Sequence, residues 1–109
     1  ALDLEQLREV TMNDEDLMRE VLSVLWDDTS AHVPKLEAAV RSRDMEQCVR
    51  LAHYSKGACA NVGASAAAKV FRRIEHDARA AEFGRCEESL AALGEVLVEL
   101  QAEIATFQG

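Results

Sequence analysis

Apolar residues recur at intervals of three and four along almost the whole chain. That is the pitch of an α-helix seen from one side, and it does not suit half-buried strands, whose apolar residues alternate. One proline and five glycines among 109 residues leave little to interrupt it. Ala, Leu and Glu dominate, which favours helix further. The pattern predicts an all-α fold, an antiparallel four-helix bundle with a short extra N-terminal helix, and the length allows a single domain over 1–109.

The elements can be placed from their ends. Asp3 caps a helix over 3–10. Asn13, followed by three acids, caps a long helix over 14–42 whose face is Met18, Val21, Leu22, Leu25, Val33, Leu36 and Val40. Pro34 should kink it, or split it near Ala31 to Val33. Asp44 opens a helix over 44–61 that buries Met45, Cys48, Val49, Ala52 and Cys59, and Gly63 suits a left-handed cap after it. A helix over 65–83 buries Ala67, Val70, Phe71, Ile74, Ala78 and Ala81 and is broken by Gly84. The last, over 86–107, carries Leu90, Leu93, Leu97, Leu100, Ile104 and Phe107.

Composition narrows the function classes. The chain is 49% hydrophobic and 29% charged, which excludes disorder. A net charge of −8 argues against nucleic acid. No apolar run is long enough to span a bilayer and no signal peptide opens the chain, so a cytoplasmic protein without direct membrane contact is expected. Cys48, Cys59 and Cys86 lack metal-type spacing and read as reduced thiols; no metal site is expected. A metal-carboxylate bundle would need inward Glu and His, where this chain has Leu, Val, Ala and Phe.

Charge is segregated. Residues 1–46 are net −7 and residues 86–109 net −5, whereas residues 47–85 are net +4. The hairpin turning near residue 64 brings His53 level with Glu75 and Lys56 level with Arg72. Arg50, His53 and Lys56 or Gly57 form one stripe beside the buried face, and Arg72, Glu75 and Arg79 the matching one. Gly57 costs about 0.8–1 kcal/mol in a helix interior relative to Ala, which suggests that something approaches the backbone there. His32 and His76 read as solvent-facing.

The stretch Leu51-Ala52-His53-Tyr54-Ser55-Lys56-Gly57-Ala58-Cys59-Ala60-Asn61-Val62-Gly63-Ala64 resembles the signature of histidine-containing phosphotransfer (HPt) domains, A-H-x-[LS]-K-G-x-x-x-x-x-G-A. Ile74-Glu75-His76-Asp77-Ala78-Arg79 matches the acid-or-amide and Arg that follow it. Tyr54-Ser55 departs mildly, where members often carry an apolar residue at the second position.

The resemblance implies a phosphorelay intermediate that takes a phosphoryl group from the aspartate of a receiver domain and passes it on. His53 would be the acceptor through Nε2, Glu75 would hold Nδ1–H, and Lys56 would offset phosphoryl charge. Gly57, Arg50, Arg72 and Arg79 would serve docking. The partner would be the receiver of a response regulator or of a hybrid histidine kinase, and it would supply the Mg²⁺. The carrier itself, expected to be a monomer, would bind no cofactor, have no ATP site and not be an enzyme in its own right. The chain begins at Ala1, so it is read either as a stand-alone domain or as a soluble terminal module excised from a membrane-anchored hybrid kinase. A bundle adaptor or dimerisation module that has lost phosphotransfer is the alternative, but such a chain usually lacks His53 or Lys56.

Overall fold

The computed structural model describes residues 2–108. Its helices are α1 (Leu4–Val10), α2 (Glu15–Arg41), α3 (Met45–Asn61), α4 (Ser65–Arg79) and α5 (Phe83–Gln108). The four long ones pack antiparallel: α3 lies against α4, α4 against α5, and α2 closes the ring against both α3 and α5. The short α1 crosses the end of α3. Phe71, Leu22, Leu36, Ile74 and Leu93 are fully buried at the centre, with Leu7 of α1 among them. No described helix is long and apolar enough to cross a membrane.

The starts of α1, α2 and α3 follow side-chain capping. Asp3, Asp14 and Asp44 each accept from a backbone N–H three residues on, at 3.1–3.2 Å. The cap of α2 is therefore Asp14 rather than Asn13. Asn13 and Met12 are both left-handed, with φ of 62° and 56°, and an N-cap needs the extended backbone that Asp14 has.

Helix ends share one geometry. At each of the α1, α2, α3 and α4 C-termini, the second residue past the cap donates its N–H to a carbonyl five residues back. The examples are Asn13 to Arg8, Asp44 to Ala39, Ala64 to Cys59 and Glu82 to Asp77, all at 2.8–2.9 Å. The residue before each donor is left-handed: Met12, Arg43, Gly63 and Ala81. Three of the four tolerate a side chain there, at roughly 1 kcal/mol each.

This geometry corrects the α4–α5 boundary. The break expected at Gly84 falls at Ala80–Glu82, and Gly84 lies in the first turn of α5. Ala81 is consequently an exposed turn residue rather than part of the core. Met45 is 42% exposed because it opens α3 before the helix enters the bundle, and Leu51 takes a buried place instead. Pro34 does not split α2: it sits on the exposed side of one continuous helix, where water can replace the missing hydrogen bond.

Gly63 has a second constraint. Its carbonyl accepts from Asp3 N–H at 2.8 Å, and Gln6 Nε2 donates to Ala60 O at 2.6 Å. The N-terminal segment is thus laid directly on the α3–α4 turn. A Cβ on Gly63 would stand 2.5 Å from Asp3 O.

Gly63→Ala should therefore lose on the order of 2 kcal/mol or more, from left-handed strain plus displacement of the N-terminal segment. Gly94→Ala, in the exposed middle of α5 with open space around its Cβ, should gain up to about 1 kcal/mol. Urea unfolding of the two variants checks both signs.

Candidate functional site

The α3–α4 hairpin assembles a four-membered polar network beside the core. Glu75 follows Ile74 on α4 and lies at the edge of the buried face, its side chain only 10% exposed. Its Oε2 lies 3.1 Å from His53 Nδ1 and accepts from Arg79 Nη2 at 2.9 Å, while Oε1 accepts from Lys56 Nζ at 2.7 Å. Burial alone would raise the Glu75 carboxyl, but the hydrogen bonds from Lys56, Arg79 and His53 outweigh it and hold the pKa at about 2. An ionised carboxylate can only accept, so Nδ1 carries the proton. Nε2 is then the nitrogen with the lone pair, on a ring whose side chain is 65% exposed.

The residues singled out in the sequence separate into two groups. His53, Lys56, Glu75 and Arg79 are joined in one network, and Lys56 reaches Glu75 across the helix pair. Arg50 instead bonds Gln47 one turn back along α3. Arg72 stays outside the network and faces a groove of about 400 Å³, lined also by Lys56, Gly57, Ala60, Ala68 and Lys69. A Cβ on Gly57 would meet nothing within 4 Å. Gly57 is therefore not a packing contact with α4; its missing side chain leaves open surface one turn from His53.

Beside the site lies a cluster absent from the sequence reading. The His32 ring stacks at 4.9 Å on Tyr54, Tyr54 Oη donates to Asp28 Oδ2 at 3.4 Å, and His32 Nδ1 sits 2.6 Å from Asp28 O. His32 is thus half-buried rather than solvent-facing. The His32 contact within α2 is to the Asp28 backbone carbonyl, which a residue of any type four back would offer, so the spacing in the sequence carried no signal for it. His76 is exposed. The thiols are buried, and burial pushes Cys59 and Cys86 up to about 11 and raises Cys48, so all three stay protonated.

Comparison with known proteins agrees with this geometry. The family model described as "Hpt domain" matches residues 20–108. The crystal structure of histidine-containing phosphotransfer protein B (HptB) from Pseudomonas aeruginosa PAO1 superposes with a TM-score of 0.89 at 23% identity, covering 96% of this chain and 91% of that one. That likeness establishes the fold. No match was found among the curated proteins.

The depressed Glu75 pKa has a consequence in acid. The stabilisation it represents is complete above the ordinary value of 4.5 and is lost as pH falls through about 2. Glu75→Gln should be less stable than the parent at neutral pH, and the gap should narrow as the pH is lowered across that window. Urea titrations at several pH values check this; a gap that is constant with pH would show that the carboxylate is not held ionised.

Proposed function

The chain belongs to the Hpt domain family, which gives it a role in histidine phosphotransfer relay, and from that premise we propose that His53 is its phosphoryl acceptor. Hpt domains are carriers that work with receiver domains of response regulators. The observation that carries the assignment is the His53–Glu75 pair: one ring nitrogen is held by a buried carboxylate, and the ring remains exposed.

The reaction follows from that arrangement. The Nε2 lone pair attacks the phosphorus of a receiver's aspartyl phosphate, the acyl P–O bond breaks, and the aspartate leaves as its carboxylate. Nδ1 keeps its proton throughout, and the positive charge the ring acquires is offset by Glu75. Lys56 acts first on the carboxylate it bonds, and its charge lies one helical turn from the incoming phosphoryl group. The same steps in reverse discharge the histidine. The Mg²⁺ that neutralises the transferring group belongs to the receiver; this chain carries the group as a cytoplasmic monomer and contributes neither metal nor nucleotide.

His53→Gln should abolish labelling by a phosphorylated receiver while leaving helicity and melting nearly unchanged, because the exposed ring contributes little packing. Labelling that persists in the variant would move the assignment elsewhere, with His76 as the next candidate.

Gly57→Leu separates docking from stability. With open space at the Cβ, the substitution should raise the melting temperature slightly. The added side chain should hold the receiver's phosphoaspartate away from Nε2, and misplacement of about 1 Å can cost on the order of a hundredfold in rate. Thermal unfolding and transfer rate on one sample read both effects; a destabilised but transfer-competent domain would refute this role for Gly57.

A further inference from the structure

Three of the cations singled out in the sequence are already engaged. Lys56 and Arg79 bond Glu75, and Arg50 bonds Gln47. Lys69 and Arg72 of α4, by contrast, make no ion pair or hydrogen bond among the described residues, and both are exposed. They are three apart, so they project from one face of α4.

That face forms one wall of the groove between α3 and α4, and Lys56 stands on the other wall. Gly57, Ala60 and Ala68 line the groove between them, and no long side chain among these covers it. Gly57 is one turn past His53, so the groove opens about 6 Å along the helix axis from the acceptor. The chain as a whole is net −8, and a negatively charged partner is repelled by most of its surface. Two unpaired cations over a shallow, small-residue groove offer such a partner a local seat.

We propose that this groove seats a carboxylate-bearing segment of the receiver, with Lys69 and Arg72 as the residues that determine which receivers dock. The inference rests on His53 being the acceptor. It assigns selectivity to α4 residues outside the His53 signature, so two carriers with the same signature can differ in partner through these two positions. An acidic segment laid along α4 brings the receiver down over Gly57, and neither cation touches the reacting atoms. Their contribution is to encounter and orientation, where exposed charges act most strongly.

The test compares two donors on the intact domain: a phosphorylated receiver that labels the parent, and phosphoramidate, a small donor that needs no docking surface. For the double variant Lys69→Glu/Arg72→Glu, the ratio of receiver-driven to phosphoramidate-driven labelling should fall about tenfold or more at low ionic strength and recover substantially as salt screens the charges. Arg41→Glu/Arg43→Glu, at the α2–α3 turn beyond the other end of α3, makes the same change in net charge and should keep its ratio within about twofold of the parent. A ratio for Lys69→Glu/Arg72→Glu within twofold of the parent at low salt would overturn the proposal, as would an equal fall in both double variants, which would trace the effect to net charge. Failure of the underlying assignment reads differently: phosphoramidate would then label His53→Gln as well as the parent.

Discussion

The Glu75 carboxylate has two oxygens and three donors, each from a residue whose position depends on it. His53 and Lys56 come from α3, one turn apart, and Arg79 comes from the next turn of α4. A buried carboxylate without partners would be strongly disfavoured as the ion, and each charged donor shifts the balance back toward it. With three it is held ionised, with its pKa at about 2. The ionised state in turn fixes the histidine tautomer, because an acceptor-only group demands a proton on Nδ1. One side chain thus bridges α3 and α4 at the register the turn gives them, orients the imidazole and decides which of its nitrogens can act as a nucleophile.

That register is set at the turn, where Asn61 to Ala64 reverse the chain. All four interhelical C-termini use the same left-handed closure, yet only one uses glycine. Met12, Arg43 and Ala81 show that the backbone angle alone does not require it. At Gly63 the N-terminal segment approaches to within 2.8 Å, leaving no room for a Cβ. The second glycine of the signature therefore fastens α1 to the hairpin, at the end of the helix that carries the site. Its effect on the acceptor is indirect, through the rigidity of the turn from which both α3 and α4 are measured.

Much of this was legible in the residues. An antiparallel hairpin centred near residue 64 leaves few choices of partner for His53, and the helical period put Glu75 at that level without any knowledge of packing. Three other features were not legible, each for a physical reason. The α4–α5 break escaped because glycine is the usual sign of a left-handed residue, whereas here alanine adopts that angle and Gly84 sits inside a helix. The engagement of Lys56 escaped because a flexible side chain can reach a residue one turn away from its level partner, which sequence register alone cannot resolve. The stacking of His32 on Tyr54 required knowing how α2 is rotated against α3, a relation set by packing across the bundle rather than along a hairpin.

The charge balance of the network bears on what a carrier must do. With the imidazole neutral, Lys56 and Arg79 outweigh Glu75 by a single positive charge. A phosphoryl group brings about −1.5 to −2, which that excess and the positive charge the ring acquires together just offset. A site with several free cations would bind the group tightly and slow its departure, since stabilising the charged state more than the transition state does not accelerate transfer. Engaging Lys56 and Arg79 on a carboxylate instead leaves the phosphorylated state compensated without a surplus of positive charge, and therefore able to release the group to the next acceptor. On this reasoning the buried acid moderates the cations as much as it orients the histidine. The full charges of Lys69 and Arg72 are kept one or more helical turns away along α4, where they can attract a partner without holding its cargo.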